Sequence, residues 1–259
     1  MPEMKLTDYL HNVKATHDPA SVKPVAQPSA CQPDCKVCGG LGWVMGDYEI
    51  TDARFGKINP CPNADIFAIY GDKLGINKID MRLTWKSLEK NGNVIDAARR
   101  VYDALERGYG MVYLWGAAGT GKTRILKTAI AEWLRITRRS AAYTAMSDVI
   151  DYLRASFDTA NASEQAAARM DFYSTTPLLA IDEVDKMRGT EYANEKRFTL
   201  FDRRYELAAR EQGVTLMASN SDPHDFLDDY LLSRIYDGRN IVIQMTGADA
   251  RPALKNERI

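Results

Sequence analysis

The sequence predicts a three-layer α/β domain built on a parallel sheet and preceded by a small cysteine-bearing unit. Three observations carry this expectation. From Asn93 onward, five short apolar runs alternate with helical stretches. A glycine-rich loop joins the first run directly to the helix after it. All four cysteines fall between Cys31 and Cys61.

The apolar runs are Met111–Trp115, Ala141–Thr144, Leu178–Ile181, Val214–Ala218 and Ile241–Met245. Continuous apolar runs separated by helices indicate parallel strands buried on both faces. Before the first run, Asn93 is placed to cap a helix carrying Val94, Ile95, Ala98, Val101, Tyr102 and Leu105 on one face. Gly108 stops that helix.

The chain has 259 residues, 45% hydrophobic, enough for one ordinary domain plus a small one. Its formal net charge of -1 argues against attachment to nucleic acid by bulk charge alone, while leaving room for a local basic patch. No apolar run approaches the roughly 20 residues that span a membrane, and the first ten residues contain no signal-peptide core. A cytoplasmic location and no membrane partner are expected.

The strand Met111–Trp115 runs into Gly116-Ala117-Ala118-Gly119-Thr120-Gly121-Lys122-Thr123, and Ile125, Leu126, Ala129, Ile130, Trp133 and Leu134 follow at helical spacing. This is the strand, loop and helix context of a phosphate-binding P-loop. Glycines let backbone N–H groups curl around phosphate oxygens, and the helix N-terminus adds donors and positive partial charge. Lys122 is expected on the β- and γ-phosphates of ATP and Thr123 on Mg²⁺. A chance glycine turn with a lysine fits this complete motif poorly.

Leu178–Ile181 leads to Asp182 and Glu183. A buried strand ending in two carboxylates suits a cation: Asp182 takes the Mg²⁺ position and Glu183 polarises the attacking water. The bland reading, a solvated strand end with helix-capping acids, gives way once the P-loop precedes it. Val214–Ala218 ends in Ser219-Asn220. If this strand lies between the two strands carrying the phosphate loop and the acids, Asn220 faces the γ-phosphate and the water. Arg234 follows an acidic stretch, and composition alone favours a salt bridge with Asp228 or Asp229. Arg251 either faces the nucleotide or caps the domain. Arg135, Arg138 and Arg139 offer contacts to DNA, but complementing the C-terminal end of their own helix is the favoured reading.

Cys35-Lys36-Val37-Cys38 lets two thiolates approach one metal, with tight-turn glycines from Gly39 to Gly42 after it. Cys61 returns after an apparent hairpin around Trp43–Ile58, and Cys31 supplies the fourth ligand of a closed structural Zn²⁺ site. Position 64 is Ala64 where a second paired cysteine is expected, and His11 or His17 can replace Cys31. The expected division is an N-terminal arm and zinc module over 1–75 and the ATPase domain over 76–259.

From about Asp80 on, the sequence resembles the DnaC/DnaI-type helicase loaders and their relatives, the IstB-like transposition ATPases, a branch of the AAA+ proteins. The resemblance rests on Gly116–Thr123, Leu179–Asp185, Phe201-Asp202-Arg203-Arg204-Tyr205, Ala218–Asn220, Leu232-Ser233-Arg234-Ile235 and Gly247–Arg251, and covers about two thirds of the chain. It implies an AAA+ P-loop domain without a C-terminal lid. It further implies Arg234 as a finger reaching a neighbouring subunit's γ-phosphate, Asn220 at the sensor-1 position, and self-assembly into an oligomer. The partners it implies are the replicative DNA helicase, gripped by the zinc module, and single-stranded DNA. Arg124 departs from the family, which often has histidine or tyrosine there. An IstB-like helper of transposition and a nucleotide-gated adaptor with little turnover are the alternatives; Glu183 speaks against the adaptor.

Overall fold

The computed structural model describes residues 30–45, 56, 58–155, 160–186 and 189–251. His11 and His17 lie outside them, as does the tip of the expected hairpin. Its two strands are β1 (Trp43–Met45) and β2 (Ile58–Pro60), antiparallel with Met45 opposite Ile58. Helix α1 (Ile66–Tyr70) follows, its first turn capped by Asp65, which accepts from the Phe67 amide at 2.8 Å.

The larger unit alternates helix and strand: α2 (Val94–Arg107), β3 (Tyr109–Trp115), α3 (Lys122–Thr137), β4 (Ala141–Ala145), α4 (Met146–Ala155), α5 (Ala160–Thr175), β5 (Leu178–Asp182), α6 (Glu191–Ala209), β6 (Gly213–Ser219), α7 (Asp229–Ile235) and β7 (Ile241–Gln244). The five strands pair in the order β4-β5-β6-β3-β7, every described pairing parallel. β6 therefore separates the P-loop strand β3 from the acidic strand β5, the condition on which the role of Asn220 depended.

The sheet is buried on both faces, which is why its strands read as unbroken apolar runs. Val112, Leu114, Ala180 and Leu216 turn toward a core shared with α2 and α3. Met111, Tyr113, Leu179 and Met217 turn toward the opposite core with α4, α5, α6 and α7. Ile66 and Leu74 belong to the first of these cores, so the segment after the cysteines packs into the large unit.

One local reading is corrected and a second is extended. Asn93 stands at the start of α2 but makes no side-chain cap. Its amide donates to the Gln244 carbonyl and accepts from the Thr246 amide, both at 2.8 Å, tying the helix to the end of β7. Arg138 ends α3 in a left-handed conformation, and its guanidinium donates to the Ala64 carbonyl. Arg135 donates to the carbonyls of Met81 and Leu83 at 2.8 and 3.1 Å, and Arg139 lies over the Trp133 ring. Arg135 and Arg138 thus hold the N-terminal segments against α3. Among the described residues, no helix is long and apolar enough to cross a membrane.

Candidate functional site

The loop after β3 wraps the N-terminus of α3. Gly119, at φ 79°, lies against the chain after β7, and a Cβ there would stand 1.8 Å from Asp249 Oδ1. The Ala250 amide donates to the Gly119 carbonyl at 3.1 Å, so residues 249–251 close one side of the loop. Lys122 is buried, its Nζ donating to the carbonyls of Gly116 and Ala117 at 2.6 and 2.9 Å. Burial lowers its pKa, and the charges of Asp182 and Asp185 act in the opposite direction.

Asp182 ends β5 beside this lysine, buried at 5% exposure. The Thr123 hydroxyl donates to its Oδ2 at 2.6 Å, the Tyr143 hydroxyl to the same oxygen at 2.9 Å, and the Glu183 amide to Oδ1 at 2.9 Å. A hydroxyl and a carboxylate converging at the mouth of a P-loop are hard oxygen donors that fit Mg²⁺. Glu183 itself adopts φ 52°, a left-handed conformation uncommon for a residue with a side chain. The next amide, of Val184, donates to the Ala218 carbonyl at 3.0 Å and locks the strand ends together. The Glu183 carboxylate is paired with Lys186 at 2.5 Å and stays accessible.

Asn220 stands exposed at the end of β6. Asp185 places it: Oδ2 accepts from the amides of Asn220 and Ser221 at 3.2 and 3.1 Å and from the Ser221 hydroxyl at 2.9 Å. Sequence reasoning assigned Asp185 no role, although its place two residues after Glu183 marks it as a third acid at the same strand end. Lys122, Thr123, Asp182, Glu183, Asn220 and Arg251 all line one cavity of about 560 Å³, within the range of small-molecule sites. Arg251 is paired with Asp249, Nε to Oδ1 2.9 Å, and this guanidinium holds the Asp249 carboxyl down at about 2.

Arg234 does not line that cavity. On α7 its Nε donates to Asp202 Oδ1 at 3.0 Å, and its guanidinium lies 4.9 Å from the centre of the Tyr205 ring and 3.5 Å from that of Tyr230. Its acidic partner is Asp202, not Asp228 or Asp229, because the Asp228 carboxylate caps α7 by accepting from the Leu231 amide at 2.8 Å. Arg124 donates to the Ser87 carbonyl at 3.0 Å on the wall of the same cavity.

The cysteines form a separate centre. The sulfurs of Cys31, Cys35, Cys38 and Cys61 all lie within 4.8 Å of one another. Cys35 and Cys61 sulfurs are 3.7 Å apart. Zinc–thiolate bonds of about 2.3 Å in a tetrahedron put sulfurs about 3.8 Å apart. The Asn63 amide donates to Cys35 at 3.5 Å and, with backbone donors, lowers that thiol to about 6, while burial raises Cys31 to about 12. The Gly42 amide donates to Cys38 at 3.3 Å. Ala64 is buried against the cluster, in which Cys31 also stands. The donor set fits zinc. Metal analysis of the purified chain is expected to give about one zinc per chain, falling toward zero with Cys61→Ser together with Cys31→Ser, with loss of thermal stability. An unchanged zinc content in that variant would contradict the assignment.

The family model described as the bacterial DnaA ATPase domain matches residues 87–242. No curated protein sequence matches the chain. Among solved structures, the replication initiator DnaA bound to AMPPCP and single-stranded DNA is 24% identical, covers 64% of this chain and 50% of its own, and superposes with a TM-score of 0.54. The AMPPCP-bound DnaA from Aquifex aeolicus is 23% identical over 65% of this chain and 51% of its own, TM-score 0.54. The DnaC helicase loader is 16% identical over 66% of this chain and 100% of its own, TM-score 0.53. The matched region thus spans about half the length of these DnaA chains. These likenesses establish the AAA+ fold.

Proposed function

The chain belongs to the family of the bacterial DnaA ATPase domain, and from that premise we propose that it is an ATP-dependent loader of the replicative DNA helicase. The observation that carries this reading is the cysteine module. Its surface presents Leu41, Met45 and Ile58 at 77%, 71% and 65% exposure, with Val37 and Trp43 also exposed. A small unit held by a metal and turning its apolar side chains outward is suited to gripping another protein. The DnaC helicase loader, matched over its whole length, supports the same reading for the larger unit. We divide the work at residue 75, with 1–75 as arm and zinc module and 76–259 as the ATPase domain. Arg138 and Tyr70 tie the two, the tyrosine hydroxyl donating to the Arg138 carbonyl at 3.0 Å.

In this reading Lys122 and the backbone amides of Gly116–Thr123 bind the β- and γ-phosphates. Thr123 and Asp182 hold Mg²⁺, which neutralises charge on the phosphate oxygens when bound. Glu183 draws a proton from the attacking water, and Asn220, fixed through Asp185, orients that water. Arg251 contacts the nucleotide from the far side of the loop. Arg234 completes a neighbouring copy's site, so ATP binding and side-by-side assembly support each other. ATP-bound subunits grip the helicase and deliver it to single-stranded DNA in the cytoplasm.

The test is a pulldown of the cognate replicative helicase with the full chain. Leu41→Glu with Met45→Glu, both on exposed positions, is expected to weaken the ATP-dependent complex at least about tenfold while nucleotide binding stays intact. A helicase complex insensitive to both ATP and the double variant would overturn the loader reading.

A further inference from the structure

The Asp182 carboxylate accepts three hydrogen bonds, and one of its donors comes from an unexpected place. β4 pairs with β5 so that Ala145 stands opposite Asp182 and Tyr143 opposite Ala180. Residues two apart on a strand share a face. Ala145 presents only a methyl group opposite Asp182, and the Tyr143 ring reaches diagonally past it to the carboxylate.

The ring is held from several sides. Lys127 of α3 places its ammonium 5.3 Å from the ring centre, and that ammonium is paired with Asp80 at 3.3 Å. The backbone of Tyr143 is backed by Gly75: a Cβ there would stand 1.7 Å from the Tyr143 carbonyl oxygen. Tyr143 also lines a second cavity of about 490 Å³, which shares Thr123, Asp182 and Glu183 with the nucleotide site. The phenol therefore stands beside the acid that the two cavities share, its hydroxyl directed at that acid and its ring backed by the helix and by the segment leading in from the cysteine module.

We propose that Tyr143 is a positioning residue of the hydrolytic site, whose hydroxyl fixes the Asp182 carboxylate in the orientation that receives the metal of the metal–nucleotide complex. The inference rests on the Mg²⁺-dependent ATPase reading. Oδ2 takes the Thr123 and Tyr143 hydroxyls, and Oδ1 takes the Glu183 amide. With Tyr143 absent, Oδ2 keeps only the Thr123 hydroxyl and Oδ1 the Glu183 amide, so the carboxylate is held less firmly about its Cβ–Cγ bond. Outer partners that orient a ligand typically control metal affinity or activity by 10- to 100-fold, roughly.

Tyr143→Phe removes the hydroxyl and keeps the ring. With Mn²⁺ as the probe and a non-hydrolysable ATP analogue at saturation, electron paramagnetic resonance counts free against bound metal. The variant is expected to bind Mn²⁺ about tenfold more weakly. Analogue affinity in chelator is expected to be unchanged, and the melting temperature to fall by no more than about 5 °C, the worth of one hydrogen bond. In turnover, the Mg²⁺ concentration for half-maximal rate rises by the same factor, and excess Mg²⁺ restores much of the rate. A purely structural role would lower the rate without that rescue. Mn²⁺ affinity equal to wild type overturns the inference alone. Failure of the wild-type chain to bind Mn²⁺ with the analogue overturns the ATPase reading and this inference with it.

Discussion

Replacing Glu183 with glutamine is expected to lower kcat for ATP hydrolysis about 10²- to 10⁴-fold, the usual worth of a general base. Nucleotide affinity should stay within about twofold of wild type, because only an interaction made in the transition state is removed. The geometry separates these effects. Lys122 and the loop amides meet phosphate on one side of the cavity, and the Glu183 side chain is no part of that cradle. Glutamine is nearly isosteric, and the φ of 52° is set by the Val184 amide bonded to Ala218, a contact the substitution leaves alone. The lost pairing with Lys186 joins two accessible side chains and contributes about 0–1 kcal/mol. Steady-state turnover and nucleotide titration of both proteins check this. Equally slow hydrolysis by wild type and variant would favour a nucleotide-gated adaptor instead.

The second large effect concerns stability. Arg204 of α6 is fully buried, at 0% exposure. Its guanidinium donates to the carbonyls of Thr176 and Val214 at 2.6 and 2.7 Å and to the Thr215 hydroxyl at 2.7 Å, with longer contacts to Tyr173 and Ser174. One planar fork thereby satisfies the end of α5, the turn into β5 and the start of β6. Burial lowers its pKa to about 9, which leaves it charged at neutral pH. Arg204→Met fills much of the space but abandons several buried acceptors, each costing about 1–3 kcal/mol when unpaired. The expected loss is about 3–5 kcal/mol, and the melting temperature falls by about 10 °C for a domain of this size. Arg204→Lys does not restore it, because an ammonium cannot span acceptors arranged for a fork. A melting temperature within about 2 °C of wild type, less than 1 kcal/mol for such a domain, would contradict this account.

What the sequence made legible was local. The five strands announced themselves because a sheet covered on both faces needs apolar residues at every position. The phosphate loop and the acids after Ile181 were readable from spacing alone. The cysteines pointed to a metal, and their four sulfurs converge within 4.8 Å of one another. Contacts between distant segments were not legible. Asn93 bonds to Thr246, Arg234 pairs with Asp202, and Tyr143 reaches Asp182, each across a span of chain that no helical or strand period records. Arg204 was visible only as one residue of a basic pair; which of the two turns inward follows from the helix face of α6. Arg138 stands at the helix end, as read from the sequence, and its bond to the cysteine module across a long span of chain was not legible.

On the proposed reading, this ATP site powers the delivery of a helicase. Such delivery is read as the amount of the cognate replicative helicase retained on closed single-stranded DNA circles, with and without the chain and ATP. Retention is predicted to require both, and to be lost with Lys122→Ala and with Arg234→Ala. Equal retention of the helicase in the absence of the chain, or with the Lys122→Ala variant, would contradict it.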